Sequence, residues 1–284
     1  MTPPTLTLYT FAASQSSEKI RWALDASGLR YRESRLTPFL HYAQNLRISG
    51  SLGLSIPVLE ADGQTVQDST QILEWLEKNR APFALIPREP QERQAAMQWE
   101  ARFDHVGPHV VRCMYATLLE DPQLVRRLWT LDASAVDRGL LRAGFPLLSR
   151  IFSRGLGLHP ALLEHSRRVI ERTLNELDRV TADGRTYLVG ERLTVADITA
   201  ASRLAPLVCP DEHAVFSDPE YRDAIASLVS GWQARPSFAW LREMYRLHRR
   251  ARPVRTLKSA PHAIEAFRRV RRRTQVARTA TLTH

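Results

Sequence analysis

Strand-like and helix-like periods alternate over the first eighty residues, and only the helical period continues after them. Leu6-Thr7-Leu8-Tyr9-Thr10-Phe11 alternates like a strand with one buried face. From Glu18 to Ser27, the residues Ile20, Ala23, Leu24 and Ser27 share one helical face, and Gly28 follows as a left-handed C′ stop. Leu29 to Leu36 predicts a second strand, whose several arginines place it at a sheet edge. Residues 37–55 have no regular period: Pro38, Gly50 and Gly53 punctuate them, with one helical turn around Tyr42 to Leu46. Ser55-Ile56-Pro57-Val58-Leu59 opens a strand on a proline, Asp62-Gly63 makes a two-residue turn, and Val66-Gln67 belongs to the returning strand. Asp68 to Lys78 predicts a helix with Asp68 and Gln71 at capping-box spacing and Ile72 and Leu76 inward.

Pro82, Pro87 and Pro90 mark a linker. From Gln91 to about His248 the pattern is helical only. Its strongest start signal is Leu193-Thr194-Val195-Ala196-Asp197-Ile198: Thr194 is an N-cap, Asp197 stands at N3, and Leu193 and Ile198 occupy the two positions of a hydrophobic staple. The expected organisation is an α/β domain over residues 1–81, a linker over 82–90, an all-helical domain over 91–248 and a tail over 249–284.

Composition adjusts this picture in one place. The chain has 284 residues, 44% apolar and 25% charged, as in an ordinary two-domain globule. No apolar run approaches the roughly 18 residues that span a bilayer, and Met1-Thr2-Pro3-Pro4 does not read as a secretory leader. Cys113 and Cys209 stand far apart, outside any CxxC, which argues against a disulfide scaffold or a cysteine zinc site and fits a reducing cytoplasm. The net charge is +10, from 40 basic and 30 acidic residues. Residues 249–284 hold eleven of the basic residues and one acid, Glu265, which leaves 29 of each in residues 1–248. The basic character therefore belongs to the tail, where Arg268-Arg269-Val270-Arg271-Arg272-Arg273 reads as a solvated run or as a contact for anionic lipid or nucleic-acid phosphates.

The hairpin carries the candidate chemistry. If the Ile56–Pro57 bond is cis, the Ile56 backbone turns outward to pair with a ligand's main chain. Asp68-Ser69 stands at a helix start, where free N–H groups favour a carboxylate. Together they suit a peptide-like, doubly charged small molecule. Ser14 reads either as a helix cap or as a hydroxyl aimed at a ligand, with Ser17 as its rival. Phe11, Phe103, Tyr115 and Phe145 are candidate walls of an apolar pocket at the domain junction, or ordinary core aromatics. Val136 to Leu158 is apolar, interrupted by Gly144-Phe145-Pro146, and carries Arg138, Arg142, Arg150 and Arg154; it reads as a lid, as a patch facing anionic groups, or as a solvated face. His105 and His109 stand at i,i+4 spacing beside Asp104, but Gly107-Pro108 between them argues against a regular helix, and no metal site is expected.

Three segments together resemble the glutathione transferase family: Ser14-Gln15-Ser16-Ser17-Glu18-Lys19-Ile20-Arg21, similar to the serine-type classes; Ile56-Pro57-Val58-Leu59 with Gln67-Asp68-Ser69; and Leu193-Thr194-Val195-Ala196-Asp197. Tyr187-Leu188-Val189-Gly190 and Ala234-Arg235-Pro236-Ser237 fit as well, so the likeness runs from about residue 5 to 246. It implies a thioredoxin-like N-terminal domain followed by an all-α helical bundle, with glutathione as co-substrate. It implies that Ser14 hydrogen-bonds the glutathione sulfur, that Ile56 and Pro57 present the cysteinyl-binding backbone, and that Asp68 and Ser69 hold the γ-glutamyl group. Many relatives place a lysine or similar donor just before the strand proline; here that residue is Ser55, at the end of an unusual 49–55 stretch, which leaves Arg47 or His41 for the glycyl carboxylate. Serine in place of cysteine favours addition of a thiolate to an electrophile over disulfide exchange.

The implied activity is attack of the glutathione thiolate on a small apolar electrophile, by a cytoplasmic homodimer. The alternative is a non-catalytic binding or scaffold protein of the same fold, with a tail that contacts anionic partners.

Overall fold

The computed structural model describes residues 6–40, 55–80 and 82–249. Strands β1 (Leu6–Thr10), β2 (Tyr31–Arg35), β3 (Val58–Ala61) and β4 (Gln64–Gln67) form one sheet in the order β2-β1-β3-β4. β2 runs parallel to β1 at the edge predicted from its arginines, with Leu8 opposite Glu33. β3 runs antiparallel to β1 and to β4. The hairpin turns at Asp62 (φ 52°) and Gly63 (φ 77°), a pair of left-handed residues whose twist matches that of the flanking strands. The Ile56–Pro57 peptide is cis.

Helix α1 (Gln15–Ala26) begins three residues before Glu18, because Ser14 caps it by accepting a hydrogen bond from the Ser17 N–H at 3.1 Å. It ends in a Schellman arrangement: Gly28 (φ 65°) donates to the Asp25 carbonyl and Leu29 to that of Leu24, both at 3.0 Å. Helix α2 (Ser69–Asn79) follows the hairpin. The second unit consists of α3 (Pro90–Leu118), α4 (Pro122–Trp129), α5 (Ala135–Leu156), α6 (Pro160–Thr181), α7 (Val195–Val208), α8 (Pro219–Val229) and α9 (Pro236–His248). None of the described helices is long and apolar enough to cross a membrane.

The architecture is the expected one: a four-stranded mixed sheet with helices, then a helical bundle. α7 is its central post, buried along its whole length and packed against α3, α1 and α9. Its capping box is present as read, with the Asp197 carboxylate accepting from the Leu188 and Thr194 N–H groups at 2.8 Å each. α1 lies between the domains. Its Trp22 is fully buried and meets Tyr245 of α9 with ring centroids 4.7 Å apart.

Two expected helix breaks do not occur. α3 passes through Gly107-Pro108 without interruption. Gly107 is buried where the Arg203 and Gln15 side chains come closest, and its carbonyl accepts from the Gln15 Nε2 at 2.8 Å, so packing there outweighs the local propensity. α5 likewise runs through Gly144-Phe145-Pro146, held by Phe145, which is buried against Trp129. It stops at Gly157, in the left-handed region at φ 63°. Arg249, grouped by composition with the basic tail, is fixed to α1: it pairs with Glu18 at 2.7 Å and Asp25 at 2.6 Å.

Candidate active site

The loop from Phe11 to Ser14 is held from beneath by α1. Arg21 donates to the Phe11 and Ala12 carbonyls at 3.4 Å each and pairs with Glu18 (2.9 Å) and Glu33 (3.0 Å). Burial alone would raise the Glu33 carboxyl, but Arg21 and Arg35 hold it below the usual carboxylate range. Ser17 is completely buried and its Oγ accepts from the Phe11 N–H at 3.4 Å. Ser14 is half-buried at the first turn of α1 and faces a cavity. The two serines therefore separate: Ser17 fastens the loop from inside, and Ser14 is the one at an open surface.

The cavity has a volume of about 220 Å³. Phe11 to Ser16 form its floor, and Leu36, Pro38 and Phe39 one side. The helical domain closes it with Val111, Met114 and Tyr115 of α3, with Leu128, Trp129, Leu131 and Asp132 around the end of α4, and with Phe152 of α5. The aromatic rings interlock. Trp129 lies 4.6 Å from Phe39 and 5.3 Å from Phe152, and Tyr115 lies 4.7 Å from Phe152, mostly edge to face. The Trp129 indole N–H donates to the Tyr115 hydroxyl at 3.2 Å, and burial raises the Tyr115 pKa, so this hydroxyl stays neutral. A larger hollow of about 530 Å³ opens between α7, α8 and α9 and shares no lining residue with it.

Of the four aromatic residues singled out in the sequence, Phe11 and Tyr115 line the cavity with Ser14. Phe103 does not: it is fully buried and stacked on Trp99, 5.6 Å away, because its side of α3 faces the bundle interior. Phe145 packs behind Trp129 as a support outside the lining. Phe39, Trp129 and Phe152 were not anticipated; they come from separate elements with no shared period.

Across the junction lies a buried polar cluster. Asp68 caps α2 from φ 82°, its Oδ1 accepting from the N–H groups of Thr70 (2.9 Å) and Gln71 (3.3 Å), and its side chain is exposed. Ser69 is buried, and its Oγ accepts from Lys19 Nζ at 3.3 Å and Arg203 Nη2 at 3.2 Å. Lys19 has no exposure; it pairs with Glu100 and, at 3.0 Å, with Asp104. Arg203 reaches Asp104 at 2.7 Å and also donates to the Ser16 hydroxyl. Burial would raise the Asp104 carboxyl, but the charges of Lys19 and Arg203 hold it below the usual range. Two cations and two carboxylates thus compensate each other behind Ser69.

Ile56 sits two residues before β3, and Gln67 braces that segment by donating to the Ser55 carbonyl at 2.7 Å. Arg47, His41, most of the 49–55 stretch and residues 250–284 lie outside the described residues. Because α3 is continuous, His105 and His109 do share a face, with His165 against His109, each pair of ring centroids 5.4 Å apart. Among the described residues no group of His, Cys, Asp or Glu is placed to hold a metal ion.

Comparison with known proteins agrees with this architecture. Residues 8–84 match the sequence model of the glutathione S-transferase N-terminal domain, and residues 140–207 that of the C-terminal domain. A glutathione S-transferase-like protein, LUC7, from a Fusarium species is 27% identical over 205 residues, covering 69% of this chain and 75% of that protein. A glutathione S-transferase from Methylobacillus flagellatus, solved with glutathione bound, superposes with a TM-score of 0.55 at 20% identity over 84% of this chain and 93% of its own. Another from Methylobacterium radiotolerans, in complex with glutathione sulfonate, gives 0.53 at 23% identity over 90% and 100%.

Proposed function

The chain belongs to the glutathione S-transferase family, and on that premise we propose that it activates the thiol of glutathione and adds it to a small apolar electrophile held in the aromatic cavity. The observation that carries this reading is the position of Ser14, in the lining of that cavity and at the start of α1. Its two roles do not compete. The cap uses a lone pair on Oγ, which accepts from the Ser17 N–H, and the hydroxyl proton remains to be donated to a sulfur. A thiol of pKa near 8.5 is only a few per cent ionised at neutral pH. A donor that bonds only the thiolate, beside the positive end of a helix, lowers that pKa at about 1.4 kcal/mol per unit.

The tripeptide would lie along the N-terminal domain. The Ile56 backbone, fixed by the cis bond to Pro57, pairs with its cysteinyl unit. Asp68, exposed at the head of α2, takes the γ-glutamyl amine, and Ser69, with Lys19 and Arg203 behind it, takes the carboxylate. Arg47 is assigned to the glycyl end. Lys19, Asp104 and Arg203 act as positioning residues for Ser69. No cysteine lines the cavity, so the chemistry is addition or substitution at carbon rather than disulfide exchange. The active species would be a two-fold homodimer.

Calorimetric titration with glutathione, paired with turnover of a neutral aryl chloride, tests this reading. Binding in the micromolar to millimolar range with turnover is the expected result. Well-folded protein that takes up no glutathione at millimolar concentration overturns it.

A further inference from the structure

The last turn of α4 and the first half of α5 assemble four arginines along an open groove of about 620 Å³. Arg126 and Arg127 come from α4, Arg138 and Arg142 from α5, and Gln123, Thr130 and Leu131 complete the lining. No acid lines it. Arg127 is compensated from outside by Asp218 at 2.8 Å and Glu220 at 2.6 Å. The other three have no carboxylate partner among the described residues. Arg126 lies over the Phe145 ring at 5.3 Å and donates to the Pro122 carbonyl at 3.0 Å. Arg138 donates to the Ala133 carbonyl at 3.3 Å, and Arg142 makes no hydrogen bond or ion pair among the described residues. Three guanidinium groups without a carboxylate partner among the described residues thus face one groove, with donors open to an acceptor from solution.

Leu131 connects this groove to the chemistry. It lines the groove on one side and the Ser14 cavity on the other, with 44% of its surface exposed. We propose that the groove binds an anionic group, a carboxylate, sulfonate or phosphate, carried by the same small molecule whose apolar ring enters the cavity. The second substrate is then an amphiphilic anion: a ring against Trp129 and Phe39, a short arm over Leu131, and an acid on Arg138 and Arg142. The electrophilic character of the ring rests on the transferase reading above; the anion site does not. A guanidinium offers a carboxylate or phosphate two parallel hydrogen bonds, which fixes the orientation of the arm as well as attracting it.

The test compares two fluorescent probes of the same ring system on the full chain: anilinonaphthalene sulfonate and its uncharged parent, phenylnaphthylamine. The sulfonate should bind roughly tenfold more tightly. The double variant Arg138→Gln, Arg142→Gln should abolish that preference and leave the affinity for the neutral probe unchanged. Arg150→Gln, on the same helix but outside the groove, should keep the preference. Equal binding of the two probes, or a preference that survives in the double variant, overturns the anion site. The same variants then separate the two readings: a carboxylate-bearing aryl chloride should show a lower KM than its neutral counterpart only while Arg138 and Arg142 are present. If neither chloride turns over while the sulfonate preference responds to the variants as stated, the anion site stands and the transferase reading falls.

Discussion

Arg249 closes the described chain onto its first helix: its Nε lies 2.7 Å from the Glu18 Oε1, across 231 positions of sequence. Glu18 is buried and receives Arg21 as well. Burial alone would raise its carboxyl, but the charges of Arg249 and Arg21 hold it well below the usual carboxylate range. Glu18→Gln takes one of two carboxylate partners from each of two buried guanidinium groups, since Arg21 keeps Glu33 and Arg249 keeps Asp25, and should cost roughly 3 kcal/mol in chemical denaturation. Because the folded pKa is depressed, this stabilisation is complete above the unfolded value of about 4.3 and is lost as the pH falls below it. Melting curves between neutral pH and pH 3 should therefore fall more steeply at the acid end for the parent protein than for the variant.

His213 adds a second acid-sensitive step. Its Nδ1 accepts from the N–H groups of Val215 and Phe216 at 3.1 Å each, and burial depresses its pKa to about 4. An unfolded histidine takes up a proton near 6.5, so stability should decline as the pH falls from about 6.5 toward 4, by at most about 3 kcal/mol. His213→Asn places an acceptor that does not titrate near the Nδ1 position and should flatten the stability profile in that interval.

Ser14→Ala should raise the thiol pKa of bound glutathione by one to two units, read from thiolate absorbance against pH, and lower turnover at neutral pH by about 10- to 100-fold. Glutathione affinity should change far less. The lost helix cap adds roughly 1 kcal/mol of instability. Ser14→Thr keeps both the cap and the hydroxyl donor and should restore the low pKa. Turnover that is unchanged in Ser14→Ala removes Ser14 from the mechanism.

Gly107→Ala tests the joint between the domains. A methyl group there would meet the Arg203 Cδ at 3.1 Å and the Gln15 Nε2 at 3.2 Å. Arg203 is tied to Asp104 and Ser69 and Gln15 to the Gly107 carbonyl itself, so neither yields freely. The expected loss is about 1–3 kcal/mol in denaturant unfolding, together with weaker binding of glutathione, since the displaced Arg203 also supports Ser69.

What the sequence disclosed was chiefly local. Asp62-Gly63 specified its hairpin turn, Thr194 and Asp197 their capping box, and the arginines of β2 an edge position, because each depends on residues within a few positions of one another. The cluster behind Ser69 was not legible. Its members Lys19, Ser69, Glu100, Asp104 and Arg203 are brought together by tertiary packing from separate segments. One signal was available: Arg203 is the only basic residue within the otherwise apolar and small-residue run of α7. Gly107-Pro108 and Gly144-Phe145-Pro146 misled for the opposite reason. Helix propensity is a weak term, and burial of Gly107 and Phe145 overrode it.

The bonds from Gln15 to the Gly107 carbonyl and from Arg203 to Ser16 join the two residues after Ser14 to the helical half of the molecule. Severing the chain at its proline-rich connection would therefore not release two independent pieces. The first fragment would be left with an orphaned ammonium at Lys19 and a naked indole at Trp22, and the second with a pair of carboxylates that have lost one of their cations.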